Sequence, residues 1–217
     1  MVSPCNTSPG LTFWTFWSHI GCMSVGRPLQ FDPRASLEGA MEAFWSRGYE
    51  ATSLQDLLAA TGLSKSSLYR EFGDKQQLFA HCLDHYCRQQ AEAMHQRLEH
   101  SDSALGFIEQ LFYNIADTPR NEAQRRGCLL MNTASEFGLS EPEITDRVAS
   151  GKAAFARVFR AAVERAQGEG DIPAERNSKA LADYLVSNMS GLRNLLKTGM
   201  ERRDARAVVA TMLAALR

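Results

Sequence analysis

The sequence predicts an all-α fold. From Asp32 on, apolar residues recur at three- and four-residue intervals, and no segment shows the alternation of apolar and polar residues that marks a half-buried strand. Serine, threonine or aspartate precedes several of these runs and glycine follows them, as at the capped ends of helices. The chain has 217 residues, of which 44% are hydrophobic, so it can form one sizeable domain or two small ones.

The beginning of the chain is predicted to lie outside the folded part. The aromatic run "LTFWTFW", Leu11 to Trp17, resembles part of a leader, but residues 1–22 contain no Lys or Arg and the run is too short to span a bilayer. We therefore expect residues 1–25 to be a disordered or non-native extension, with natural translation starting at Met23. No association with a membrane is expected.

Charge and cysteine usage limit the partners and the compartment. The net charge of −1 excludes a chain that attracts polyanions over its whole surface, so any nucleic-acid contact must be local. The cysteines are odd in number and form no CxxC pair, which indicates free thiols in a reducing cytoplasm: Cys5, Cys22, Cys82, Cys87 and Cys128.

The first and fourth predicted helices are amphipathic and flank two short helices. The first follows Asp32 and ends at Gly48, and its apolar residues share one face: Leu37, Ala40, Met41, Phe44 and Trp45. The fourth is long, is capped by Asp74 and turns five residues inward: Leu78, Phe79, Cys82, Leu83 and Tyr86.

The two short helices between them predict a helix-turn-helix. Thr52 or Ser53 caps the first of the pair, which ends at Gly62. Ser64 caps the second, which runs to Phe72 and is followed by glycine. Short helices joined by a tight turn that contains glycine are typical of this motif.

The second helix of the pair has one apolar and one polar side. At about 100° per residue, Leu68 and Phe72 define the inner side. Small or hydrogen-bonding residues occupy the other side: Ser66, Ser67, Tyr69 and Arg70. Such a face can approach a DNA groove closely, although the same residues could simply solvate an exposed helix.

Phosphate contacts are predicted around this face. Lys65 and Lys75 lie at the two ends of the helix, where the backbone strands of a duplex would run. The start of the preceding helix, with the hydroxyls of Thr52 and Ser53, offers free N–H groups to a phosphate. Acidic residues slightly outnumber basic ones from Arg27 to Lys75, so the prediction requires that the acids face away from DNA.

The segment from Gly26 to Tyr86, "GRPLQFDPRASLEGAMEAFWSRGYEATSLQDLLAATGLSKSSLYREFGDKQQLFAHCLDHY", resembles the DNA-binding domain of the TetR family of bacterial transcriptional regulators. In that family the pattern "GxSKxxLYxxFxxKxxLF" spans the turn, the recognition helix and the start of the fourth helix. The matching residues here are Gly62, Ser64, Lys65, Leu68, Tyr69, Phe72, Lys75, Leu78 and Phe79.

The resemblance implies a homodimer whose recognition helices enter successive major grooves of a near-palindromic double-stranded DNA operator, usually as a repressor. Residues 26–80 would form the three-helix DNA-binding domain and residues 81–217 a helical domain for ligand binding and dimerisation. Carried over by position, the DNA contacts would be Thr52, Ser53, Ser64, Lys65, Ser67, Tyr69 and Lys75. Ser66 and Arg70 depart from the usual residues and would alter the operator sequence, and Arg27 resembles a basic arm for a minor groove.

The remaining apolar runs predict five further helices in the second domain. They cover Ala104 to Ile115, Cys128 to Phe137, Pro142 to about Gln167, and two terminal segments. The terminal helices carry near-heptad stripes that predict either core packing or, as the resemblance favours, a dimer interface: Leu181, Leu185, Asn188, Leu192, Leu195, Val208, Val209, Met212, Leu213 and Leu216.

An effector pocket is predicted on helices that surround a cavity in this family, although most of its residues could be plain core. The apolar candidates are Phe107, Leu111, Phe112, Met131, Phe155 and Phe159. The polar candidates are Asn132, Tyr184 and Asn188.

Cys128 is a candidate sensor. The segment "RRGCLLMNTASEFG" resembles the "GCL" segment of a TetR subgroup, some members of which sense electrophiles or oxidants through this cysteine. A helix N-terminus and the cations of Arg125 and Arg126 would favour the thiolate, and the alternative is a buried small hydrophobe. The effector is thus a small molecule or an electrophile.

Catalysis and metal binding have little support. His81 and His85 form an i, i+4 pair without a third ligand at a fixed spacing, so no metal site and no cofactor are expected. No nucleophile elbow or glycine-rich phosphate loop occurs, so an enzyme is not expected. The alternative function is a thiol-dependent redox enzyme that uses Cys128.

Overall fold

The structure, a computed structural model, describes residues 32–118 and 126–217. The predicted extension 1–25 and the predicted contact Arg27 lie outside these residues. Within the described ranges the chain forms nine helices and no strand, so the all-α prediction is confirmed. The helices are α1 Pro33–Arg47, α2 Leu54–Thr61, α3 Lys65–Phe72, α4 Lys75–Glu99, α5 Ala104–Ala116, α6 Leu129–Phe137, α7 Pro142–Glu169, α8 Ser178–Lys197 and α9 Arg202–Ala214.

Helix caps fix the turn between α2 and α3. Ser53 caps α2 through a reciprocal pair of hydrogen bonds with Asp56. Gly62 ends α2 with φ of 67°, and its N–H donates to the Leu58 carbonyl. Ser64 then accepts a hydrogen bond from the Ser67 N–H at the start of α3. The predicted helix-turn-helix is therefore present, with Ser53 rather than Thr52 as the first cap.

Helix α4 joins the helix-turn-helix to the other helices. Asp74 caps it in a second reciprocal pair with Gln77. Its first half packs on an aromatic cluster in which the ring centre of Phe79 lies 5.0 Å from that of Phe44 and 5.1 Å from that of Tyr49. At its other end, the Arg165 guanidinium of α7 donates to the Leu98 carbonyl at 2.9 Å, which also accepts the Ser101 N–H.

Helices α4, α6 and α7 meet closely at Gly151. A methyl group added at Gly151 would lie 2.6 Å from Cys87 Sγ and 2.9 Å from a methyl of Leu130. Glycine is thus the residue type that permits this approach. Among the described residues, no helix is long and apolar enough to cross a membrane.

The terminal stripes were predicted to favour a dimer interface, and the structure corrects this for most of their residues. These side chains are buried inside the single protomer and cannot also face a partner: Leu181, Leu185, Leu192, Val209, Met212, Leu213 and Leu216. Only Leu195, 42% exposed, and Val208, 38% exposed, are large apolar stripe residues left on the surface. Sequence spacing identified the apolar face correctly, but that face packs against the protomer's own helices.

Replacement of Gly39 tests the packing of α1 on α2. A methyl group at Gly39 would lie 2.2 Å from the Ala60 carbonyl oxygen, a backbone atom that cannot rotate away. We expect Gly39→Ala to lower the free energy of unfolding by about 1–3 kcal/mol, measured by urea denaturation. The matched control is Gly168→Ala in α7, where the added methyl group has no neighbour within 4 Å. It should leave stability unchanged or raise it by up to about 1 kcal/mol; equal stability of the two variants would contradict the packing described here.

Candidate nucleic-acid interface and effector cleft

The outer face of α3 is polar and exposed. Leu68 is fully buried and Phe72 is 9% exposed, so these residues define the inner side, as predicted. Ser66 and Arg70 are exposed on the opposite side, and the neighbouring Tyr69 is 40% exposed. The described part of the protomer therefore leaves this face open to a partner.

Three serine hydroxyls cluster at the start of α3. Ser64 Oγ accepts from the Ser67 N–H at 3.2 Å, donates to Ser67 Oγ at 3.0 Å and lies 3.0 Å from Ser66 Oγ. The cluster adds little bulk, so the helix can approach a surface closely. Because hydroxyl hydrogens rotate, the same groups can turn towards phosphate oxygens or base edges.

Cationic side chains lie beside tyrosine rings at both ends of α3. Lys65 Nζ is 5.8 Å from the ring centre of Tyr69, and Lys75 Nζ is 4.3 Å from that of Tyr49. Burial is the main cause that raises the pKa of Tyr49, which keeps its hydroxyl neutral. Arg70 has no ion-pair partner among the described residues. These cations are therefore available to a polyanion.

The structure corrects the prediction for Thr52 and weakens the predicted phosphate site beside it. Thr52 is fully buried, and its hydroxyl donates to the Gly48 carbonyl at 2.6 Å, so it cannot reach a phosphate. Ser53 is exposed, but its hydroxyl donates to Asp56 at 2.6 Å. The hydrogen bonds from Ser53, aided by Arg47, lower the pKa of Asp56 to about 2. A permanent negative charge therefore lies at the start of α2, and Arg47, which the sequence analysis missed, partly offsets it.

Several acids of this region are paired within the protein. Glu38 pairs with Arg34 at 3.1 Å. Glu42 pairs with Arg126, which precedes α6, so this carboxylate faces the C-terminal helices. Glu71 is exposed beside the recognition face. Arg126, which lies outside the range from Arg27 to Lys75, therefore offsets one of the acids counted there.

A cleft of about 480 Å³ lies between α6, α7 and α8. Three predicted effector residues line it, namely Cys128, Met131 and Asn132. Two lysines that the sequence analysis did not single out also line it, Lys152 and Lys197. The two lysines lie on different helices, α7 and α8, and no sequence pattern predicts that they line the same cleft.

Five other predicted effector residues lie in the core and do not border this cleft: Phe107, Leu111, Phe112, Phe155 and Phe159. The rings of Phe112 and Phe159 stack on each other with centres 6.0 Å apart. This part of the prediction is corrected in favour of plain core packing, because these side chains fill the space between the helices.

The two remaining polar candidates bind backbone groups. Tyr184 donates to the Met212 carbonyl at 3.3 Å and borders a separate cleft of about 400 Å³ beside α9. The Asn188 amide donates to the Tyr184 carbonyl at 2.8 Å within α8. The structure therefore does not bring them together with Cys128.

Cys128 is the N-cap residue of α6 and is 4% exposed. Its sulfur accepts a hydrogen bond from the Tyr86 hydroxyl at 3.5 Å, and that hydroxyl oxygen accepts one from Arg193 at 3.3 Å. Arg125 lies outside the described residues. The Arg126 side chain pairs with Glu42 and lies over the indole ring of Trp45.

Two further cysteines, Cys82 and Cys87, are buried in helix α4. Burial raises the pKa of Cys87 to about 12 and also raises that of Cys82. Both are therefore protonated thiols at neutral pH, which makes them poor nucleophiles.

Helix α6 contacts the helix-turn-helix part at both ends. Before its start, the Arg126 guanidinium lies 5.0 Å from the ring centre of Trp45 in α1. Near its end, the Glu136 carboxylate accepts the N–H groups of Tyr49 and Glu50 at 3.0 and 2.8 Å. The effector cleft and the turn after α1 thus share one short helix.

The structure offers no metal centre among its described residues. No group of three or more potential ligands of the His, Cys, Asp or Glu type comes together there. His85 Nε2 lies 3.8 Å from a Glu38 oxygen, and His81 is exposed with its ring near Phe72.

Both parts of the chain match known family models. Residues 37–82 match the model described as bacterial regulatory proteins, tetR family. Residues 104–212 match the model described as Tetracyclin repressor-like, C-terminal domain. The two matches cover the helix-turn-helix and the helices around the cleft.

Relatives align over most of the chain. The HTH-type transcriptional repressor ComR of Escherichia coli (strain K12) is 31% identical over 88% of this chain and 91% of its own length. YezE of Bacillus subtilis (strain 168), an uncharacterized HTH-type transcriptional regulator, is 30% identical over 80% of this chain and 90% of its own.

A solved structure shares both the fold and the sequence similarity. The TetR family transcriptional regulator CifR, in a cysteine mutant bound to 26-bp double-strand operator DNA, superposes with a TM-score of 0.76 and 30% identity. The alignment covers 88% of this chain and all of that one. The chain therefore belongs to the TetR family of bacterial regulatory proteins.

Proposed function

We propose that the protein is a homodimeric transcriptional repressor that binds a near-palindromic operator and leaves it when an effector binds or Cys128 is modified. In this proposal residues 26–80 bind DNA and residues 81–217 bind the effector and dimerise. The observation that carries it is the open polar face of α3 opposite buried Leu68. Its place of action is the cytoplasm.

The side chains of α3 divide into two roles. Arg70 lies at the centre of the exposed face and reads a base edge, since a guanidinium can bond two acceptors of guanine. Lys65, Tyr69 and Lys75 bind phosphates and set the register. The serine cluster of Ser64, Ser66 and Ser67 allows the close approach that both roles need. Ser53 and Arg27 add flanking contacts.

Dimerisation uses the outer surfaces of α8 and α9. The partially exposed side chains of Leu195 and Val208 lie there, and most of the other stripe residues are already buried. CifR, a family member of similar fold, was solved on operator DNA. A pair of recognition helices is needed to engage two half-sites of one duplex.

Release from DNA is transmitted through α6. Its residues Cys128, Met131 and Asn132 face the cleft, and its residue Glu136 holds the turn after α1. A ligand that displaces α6 would therefore strain two hydrogen bonds to the DNA-binding part. Modification of Cys128 would act along a second route, because its partner Tyr86 packs edge-on against Trp45 at 5.0 Å.

Cys128 in this proposal is a switch that reacts once, not a catalyst. Membership of the subgroup with the "GCL" cysteine stays a prediction. The alternative, a thiol redox enzyme, requires repeated turnover of a peroxide or disulfide. The thiol's 4% exposure favours a slow, single modification over catalysis.

DNA binding provides the first test. With the preferred site selected from random DNA, Lys75→Gln should weaken binding on all sequences and lower the salt slope by about one per protomer, because one phosphate contact is lost. Arg70→Ala should cost about 1–3 kcal/mol of binding free energy and relax the preference at one base position. Arg160→Gln is the control, since Arg160 is an exposed cation of α7, outside both the recognition face and the proposed dimer surface, and pairs with Glu164. If Arg70→Ala keeps full base preference and Lys75→Gln keeps full affinity, the assigned face is wrong.

Alkylation provides the second test. Iodoacetamide should release the wild-type protein from DNA, and Cys128→Ser should bind DNA but resist release. Cys87→Ser should behave like the wild type, because Cys87 does not line the cleft beside α6 and its pKa is raised to about 12. Peptide mass mapping assigns the modified residue, and a peroxide assay detects any turnover. Release of Cys128→Ser by the reagent would refute the switch, and sustained turnover would favour the enzyme.

A further inference from the structure

The described lining of the cleft beside α6 is positively charged. It contains Lys152 of α7 and Lys197 of α8, and among the described residues no Asp or Glu lines the cleft. Lys197 Nζ donates to the Asn132 side-chain oxygen at 3.1 Å. The Asn132 amide nitrogen donates to the Arg126 carbonyl at 2.8 Å, which fixes the orientation of that amide. Lys152 has no partner among the described residues.

The rest of the lining suits a molecule that is partly apolar. Met131 and Val186 supply apolar surface, while Asn194 and the two serines of α8 supply hydrogen-bonding groups. Cys128 gives the first turn of α6 no side-chain cap, so the free N–H groups there add to the positive potential. The volume of about 480 Å³ matches sites for small organic ligands.

We propose that this cleft binds a small organic anion, a carboxylate carried on an apolar body, and that this compound class is the effector. Two lysines line this cleft, and an anion bound there would offset both of their charges. A carboxylate accepts charge-assisted hydrogen bonds from ammonium groups, and these are stronger than bonds to a neutral amide oxygen.

Binding has a direct consequence for α6. A carboxylate that bonds Lys197 competes with Asn132, so the contact between α6 and the end of α8 is lost. Helix α6 is then held less firmly at the cleft while it still holds the turn after α1. This consequence rests on the proposed function, whereas the binding of an acid does not.

Matched acids and amides test the site. Isothermal titration of the full chain, without DNA, would use butyrate, octanoate and 4-phenylbutyrate, each beside its uncharged amide. We expect at least one acid to bind and its amide to bind far more weakly. Added salt should lower the affinity for the acid. Lys152→Gln and Lys197→Gln should each weaken binding about tenfold. Lys197→Arg, which keeps the charge, should retain most of the affinity.

The control variant is Lys179→Gln, which removes an exposed lysine of α8 outside the cleft and should leave binding unchanged. Thermal midpoints of all variants confirm that each is folded. The proposal is overturned if no acid binds better than its amide, or if both glutamine variants bind the acid like the wild type. DNA binding is measured separately without acid. If the protein binds an acid but no operator, the proposed regulatory function is refuted, whereas the proposed anion site is not.

Discussion

Helix α3 has only eight residues, and a helix of that length is unstable alone in water. The orientation of α3 therefore depends on the residues that bury its inner side and on those that cap its two ends. Leu68 and Phe72 bury one side, Ser64 caps the start, and the Gly73 N–H bonds the Tyr69 carbonyl at the end. Every outward side chain takes its position from these four residues, so the polar face is a consequence of the apolar one.

Internal pairing explains how an acidic protein can present a surface suited to DNA. The carboxylates of Glu42 and Asp56 have arginine partners, whereas Arg70 has no acidic partner in the described part of the chain. Net charge is a poor guide to such a surface, because neighbours within roughly one Debye length, about 10 Å, determine the local potential. Glu71, which is exposed beside the recognition face, is the exception.

Much of the fold could be predicted because it depends on local chemistry. Caps such as Ser53 and Ser64, and the buried side of α3, follow from spacing along a single helix. The site was less predictable because it depends on which helices meet. Thr52, a predicted DNA contact, precedes the N-cap residue Ser53 but is buried. The phenylalanines of α5 and α7 fill the core and do not line a cavity. Lys152 and Lys197 come together only through the packing of α7 and α8.

Because Gly151 has no side chain, helices α4 and α6 can pack closely against α7 at this point. Since a single methyl group there would lie within 3 Å of both Cys87 and Leu130, position 151 has no room for a side chain. Any larger residue must displace the end of one of these two side chains or move a helix. Leu130 of α6 thus lies against the backbone of α7 with no side chain between them, so a shift of α6 is passed to α7 directly at this point.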